Sequence, residues 1–87
     1  MVRIWGRVVT EDRIEKDVIF EEGGLFLEEN FFDYISQICE KLEIATPVIL
    51  SKHLSHYLSF NNAVFYPVDF PEDVNFDKFI IENAEDY

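Results

Sequence analysis

The stretch VRIWGRVVTEDRIEKDVIF, residues 2–20, decides how the fold is read. Its first half alternates. Val2, Ile4, Gly6 and Val8 point to one side of an extended strand, and Arg3, Trp5, Arg7 and Val9 point to the other. Residues 14–20, IEKDVIF, predict a second strand, with TEDR between the two as a turn. Pairing Val8 with Ile14, Ile4 with Val18 and Val2 with Phe20 gathers apolar residues on one face. The same register sets Arg7 opposite Glu15 and Trp5 opposite Asp17 on the other face. A slip of one residue would set Val8 against Glu15, which burial forbids. This register implies a loop of three or five residues, without the glycine such loops favour.

Outward from this hairpin, Gly23-Gly24 breaks the pattern and residues 30–43 read as a helix. Asn30 is the expected N-cap, with Asp33 three residues on. Phe31, Ile35, Ile38 and Leu42 form one apolar stripe, and Glu28 and Glu29 suit the positive helix start. Pro47 prevents continuation, and PVIL at 47–50 predicts a short strand buried on both faces. Ser51 or Ser55 is expected to cap a second helix running to Phe60 and stopped by Asn61-Asn62. Residues 63–73, AVFYPVDFPED, carry two prolines and read as an irregular connection with buried aromatics. Residues 75–83, NFDKFIIEN, read as a last strand, and the tail AEDY as polar and frayed. The expected order is ββαβ(α)β. It makes a single α+β domain over residues 1–87, with a small, mainly antiparallel sheet and helix packed on one face.

A chain of 87 residues makes one domain at most, and 48% hydrophobic content with 16% aromatic excludes disorder. Eighteen acidic residues against seven basic ones give a formal charge of −11. Such a surface disfavours direct binding of nucleic acid or an anionic membrane and favours a basic partner. The charge is uneven. Residues 1–16 hold four cations and three acids, or +1, whereas residues 17–87 hold three cations and fifteen acids, or −12. Cys39 is the single cysteine and cannot form an internal disulfide, which fits a reducing compartment. The start MVRIWGRVV lacks the apolar core of a signal peptide, and no run approaches the ~20 apolar residues of a membrane span. The expected location is cytoplasmic.

The start RIWGRVV, the middle ICEKLEIATPVIL, Phe65 and the close NFDKFIIENAED resemble a family of short, acidic, uncharacterised bacterial proteins. Its members begin with an R-I-W-G-like strand and carry an apolar strand opened by Pro after the helix. They end with an F-D-aromatic strand and an acidic tail. The resemblance covers most of the chain, but its motifs are packing motifs. It implies the fold and a bacterial cytoplasmic setting, and nothing catalytic. One departure stands out: the family is rich in Lys and Arg between the Pro strand and the last strand, whereas SKHLSHYLSFNN keeps only Lys52.

Several residues invite a chemical reading. His53 and His56 share one helix face at i, i+3, but they supply half of a metal site. Zinc needs three or four ligands, and the zincin motif spaces its histidines at i, i+4. Cys39, Asp69 or Asp73 would have to complete it from afar, and the resembling family does not keep His at these positions. The simpler reading is a solvated helix face. Asp69, Glu72, Asp73 and Asp77 suggest Ca²⁺ but match none of the EF-hand pattern, so a solvated acidic loop is preferred. Cys39, beside the apolar stripe, reads as inert filler. With no nucleophile elbow and no phosphate loop, no catalytic residue and no cofactor are assigned.

Trp5 between Arg3 and Arg7 is different. If a helix covers their face, Trp5 is core; if the face is open, a Trp flanked by Arg suits an interface. The acids Glu21, Glu22, Glu28, Glu29, Glu40 and Glu43 are candidates to line a face for a basic partner. The expectation is therefore a small non-enzymatic interaction or regulatory module, a candidate homodimer through a strand edge or the Trp5 face. The runner-up is an acidic inhibitor, immunity-like protein or nucleic-acid mimic that binds a basic partner. A metal-dependent enzyme using His53 and His56 comes third.

Overall fold

The structure, a computed structural model, describes residues 1–85. It is an α+β fold with four strands, β1 (Val2–Thr10), β2 (Arg13–Glu22), β3 (Asn62–Phe65) and β4 (Lys78–Asn83), in one antiparallel sheet of order β2-β1-β4-β3. Two helices, α1 (Phe31–Leu42) and α2 (Ser51–Phe60), pack on one face. Short 3₁₀ turns, Glu28–Asn30 and Pro67–Asp69, precede α1 and follow β3. No helix among the described residues is long and apolar enough to cross a membrane.

The β1–β2 hairpin keeps the expected faces but not the expected register. Ile4 pairs with Phe20, Gly6 with Val18 and Val8 with Lys16, two residues away from the anticipated partners. The loop is the two residues Glu11 and Asp12, both at positive φ (51° and 63°), a primed turn whose twist suits a hairpin. Its strain is offset in part by a bond from the Glu11 N–H to Asp77 Oδ2 at 2.7 Å. A bulge between Val8 and Val9 takes up the remaining residue. A shift of two leaves the side chains from Lys16 to Phe20 on their predicted sides, because the strand period is two. The bulge, however, carries Ile14 from Val8 to Val9 and leaves it 50% exposed instead of on the apolar face. Ile4, Val8 and Phe20 therefore still enter the core.

Helix α1 buries the predicted stripe Phe31, Ile35, Ile38 and Leu42, and adds Tyr34 and Cys39. Asn30 stands at the N-cap but its side chain makes no cap bond, and Asp33 instead accepts from Gln37 Nε2 at 3.0 Å. The helix stops where Glu43 turns left-handed (φ 58°) and its N–H returns to the Cys39 and Glu40 carbonyls. Gly6 lets α1 approach β1 closely: a Cβ there would lie 2.5 Å from Ile38 Cγ2.

The third strand is not PVIL. Residues 47–50 are coil, with Val48 52% and Leu50 47% exposed. Their one tie to the segment beyond β3 is the Val48 N–H on the Asp69 carbonyl, 2.7 Å. The strand lies instead in NAVF, 62–65, inside the stretch read as irregular, and Ala63 and Phe65 enter the core. The last strand starts at Lys78, three residues later than expected. Helix α2 is capped by neither Ser51 nor Ser55; its N-cap is Leu50. Within the tail, the Ala84 N–H bonds the Arg3 carbonyl and the Glu85 N–H bonds Asn83 Oδ1, so both residues are held. Asp86 and Tyr87 lie outside the described residues.

Candidate functional site

Two features hold the residues singled out above: the bare face of the sheet and a cavity where α2 meets the edge strand β3.

Both helices pack on the Gly6 side, so the Trp5 face carries no helix. On it β1 presents Arg3, Trp5 and Arg7, β2 presents Asp17, Ile19 and Glu21, and β4 presents Lys78, Ile80 and Glu82. The face is laced together. Trp5 Nε1 donates to Asp17 Oδ2 at 2.9 Å, and the Arg7 guanidinium lies 3.9 Å from the centre of the Trp5 ring. Arg7 also donates to Glu82 Oε1 at 3.3 Å, and Arg3 Nε stands 3.9 Å from Glu21 Oε2. Arg7 is mostly covered, whereas Trp5 is half-buried and Ile19 is 40% exposed. Arg3 Nε and Arg7 Nη1 are covered without accepting partners, so the face retains unfilled donor capacity. Its charges cancel, with three cations (Arg3, Arg7, Lys78) against three acids (Asp17, Glu21, Glu82), or zero.

The acids do not form one surface. Glu21 belongs to the bare face, Glu22 alternates away from it, and Glu28, Glu29, Glu40 and Glu43 lie on or beside α1, on the helix side.

The histidines do not both sit on a solvated helix face. His53 is 4% exposed and packs 4.3 Å, ring centre to ring centre, from Phe65. Its Nδ1 accepts the Leu50 N–H at 2.9 Å, while its own backbone N–H returns to the Leu50 carbonyl. A backbone N–H can only donate, so the imidazole proton sits on Nε2. Nε2 faces Asp69 Oδ2 at 3.7 Å, beyond direct hydrogen-bond reach. Asp69 repeats the same reciprocal loop with Tyr66: its carboxylate accepts the Tyr66 N–H and its own N–H returns to the Tyr66 carbonyl, both at 2.9 Å. Two reciprocal caps thus face each other. Burial lowers the His53 pKa, Lys52 adds to that, and Asp69 opposes it.

His56 stays exposed, and its Nδ1 meets the Asn62 carbonyl at 2.7 Å. A carbonyl can only accept, so Nδ1 donates and Nε2 is left as the acceptor. The pair therefore offers one accepting ring nitrogen, not two. Among the described residues, no three His, Cys, Asp or Glu side chains converge as metal ligands.

The acids of DFPEDVNFD are likewise separated. Asp69 joins His53, Asp77 braces the hairpin turn, and Glu72 and Asp73 border a hollow with Glu15, Lys16 and Glu43. Cys39 is fully buried, and burial pushes its thiol up to about 12, so it is inert at neutral pH. Sequence reasoning missed the cavity itself. It measures about 280 Å³ and is lined by Lys52, His53, His56, Tyr66 and Asp69 over a floor of Ala63 and Val64. Its signal in the sequence was the repeat of one device, a polar side chain three residues after a helix-starting position, at His53 and at Asp69.

No family model, no curated protein and no solved structure matches the chain.

Proposed function

We propose that the chain is a non-enzymatic interaction module that works through the bare face of its sheet. The observation that carries this reading is the Trp5–Arg7 stack, fixed by Asp17 and Glu82 on a face that no helix covers. A preorganised aromatic beside a paired Arg loses little freedom on contact, which is why such pairs concentrate binding energy.

The charge pattern favours a second copy of the chain as the partner. Two copies at −11 each repel. The bare face, at net zero, is where that repulsion is least. The strands hold 9, 10, 4 and 6 residues, and at ~3.4 Å per residue and ~4.8 Å per strand they give a patch of about 450–500 Å². Doubled, it reaches roughly 900–1,000 Å², the size of a weak, transient interface. The expected dimer is accordingly weak, in the micromolar range.

Sedimentation velocity over a range of protein concentrations tests it. The wild type should show concentration-dependent dimerisation, and Trp5→Ala should remain monomeric with an unchanged circular dichroism spectrum. A wild type that stays monomeric at high micromolar concentration refutes self-pairing, and a Trp5→Ala chain that fails to fold assigns Trp5 to the core. With the face neutral, the whole formal charge of −11 lies elsewhere. That excess favours a second reading, a basic protein held against the helix side, whose affinity would fall steeply with salt.

A further inference from the structure

We propose that the cavity between α2 and the β3 edge binds one neutral, hydroxyl-rich small molecule of about monosaccharide size. Pairing fixes which backbone groups reach it. The Asn83 N–H bonds the Asn61 carbonyl, and the pairs Ala63–Ile81 and Phe65–Phe79 follow in phase. The N–H and C=O groups of Asn62 and Val64 therefore point away from β4, to the free edge.

A free edge ordinarily invites another strand, but this one is stopped at both ends. His56 Nδ1–H holds the Asn62 carbonyl, and the Asp69 carboxylate holds the Tyr66 N–H. Only the Val64 N–H and C=O stay open between these stops. A peptide could pair with a single residue here before meeting a side chain, so a compact ligand fits and an extended one does not.

The polar groups alternate in a way that suits hydroxyls. His53 Nε2–H donates, and Asp69 Oδ2 accepts, 3.7 Å away. That gap is too long for a direct bond, and an oxygen seated to the cavity side of the pair can take the imidazole proton's bond and give its own to the carboxylate. The imidazole is almost fully buried and sits at the cavity wall. Further round lie the His56 Nε2 acceptor, the Val64 backbone pair and the Lys52 ammonium. A hydroxyl is the one common group that both donates and accepts at each contact. The Lys52 and Asp69 charges cancel, so no net ligand charge is required. Val64 and the 53% exposed Tyr66 ring give the C–H faces of such a molecule an apolar seat.

The test is a titration of ¹⁵N-labelled protein, followed by backbone amide shifts, with glucose, galactose, mannose, N-acetylglucosamine and ribose in turn. Glycine and serine serve as zwitterionic controls. The expected result is saturable shifts confined to residues 52–56, 63–66 and 69, with a dissociation constant of about 1 mM or tighter for at least one sugar. Asp69→Asn keeps an acceptor for the Tyr66 N–H but removes the charge, and should weaken binding about tenfold or more. Should that variant fail to fold, Tyr66→Ala, at an exposed ring, replaces it and should also weaken binding. Shifts with no sugar, shifts scattered over the surface, or shifts with the amino acids alone would each overturn the proposal. It stands apart from the bare-face reading, since Trp5→Ala should leave the titration unchanged.

Discussion

Replacing Gly6 with alanine tests the closest approach in the fold. A methyl group built on Gly6 lies 2.5 Å from Ile38 Cγ2, with Phe79 Cε1 at 3.5 Å and Leu42 Cδ1 at 3.7 Å. Carbons rest at ~3.5–4.0 Å, so α1 must retreat by about 1 Å or Ile38 must leave its rotamer. Ile38 is fully buried and β-branched, which leaves it little room to turn. Overpacking of this kind costs about 1–3 kcal/mol. Alanine offsets roughly 0.5–1 kcal/mol of that, because glycine loses more chain entropy on folding. The net loss is about 1–2 kcal/mol, or a fall of ~4–16 °C in thermal midpoint for a domain of this size. Thermal melts of the wild type, Gly6→Ala, Ile38→Leu and the double variant measure it. Leucine lacks the offending Cγ2 and costs under ~1.5 kcal/mol by itself. The double variant should then be more stable than the sum of the singles predicts, by about 1 kcal/mol. Strict additivity, or a Gly6→Ala protein that melts at or above the wild type, would refute the reasoning.

Two further predictions follow from local chemistry. Burial holds the His53 pKa below its ordinary value of 6.5 despite Asp69, so the unfolded chain takes up this proton at higher pH than the folded one. The His53 contribution to stability is therefore complete above pH 6.5 and is lost as pH falls from there through the lowered folded pKa. Protonation also turns Nδ1 from acceptor to donor against the Leu50 N–H. The urea midpoint of the wild type should drop more on acidification from neutral to about pH 5 than that of His53→Asn; an equal or smaller drop counts against a neutral, buried imidazole. At the hairpin, Glu11→Asn with Asp12→Gly supplies the residues that tolerate positive φ and should raise stability by about 1 kcal/mol in urea titration. Unchanged or reduced stability would mean that the turn bears no strain.

The sides of the strands were legible, and their partners were not. A period of two survives any even shift, so Ile4, Val8 and Phe20 reach the core whichever loop closes the hairpin. The loop itself depends on Glu11 and Asp12 accepting a left-handed backbone, which glutamate disfavours and the Asp77 carboxylate helps to hold from 66 residues away. The stripe from Phe31 to Leu42 repeats often enough to fix α1 and its buried side. PVIL is more apolar than NAVF, yet NAVF is the strand. What separates them is not composition but access to the free edge of β4, with the left-handed Asn61 just before NAVF and Pro67 two residues after it.

The histidine spacing placed both rings on one side of α2. Their opposite fates come from distant atoms. Asp69 and Phe65 enclose His53, while the Asn62 carbonyl holds His56 at the rim. Nothing in the alternation of β1 says which side the helices choose, so the sequence alone reads the Trp5 face equally as covered or bare.

The position of β1 sets the order in which the chain can assemble. It lies in the middle of the sheet, joined on one side to β2 by a two-residue loop and on the other to β4, from the far end of the described chain. The hairpin can form as soon as its residues leave the ribosome. Its inner edge has no partner until Lys78–Asn83 follows, after both helices and β3 have been made. Closing that long loop delays the pairing in free refolding as well. Until β4 emerges the nascent chain carries an unpaired strand edge beside the apolar row of Val2, Ile4 and Val8. That combination recruits chaperones or, without them, other strands.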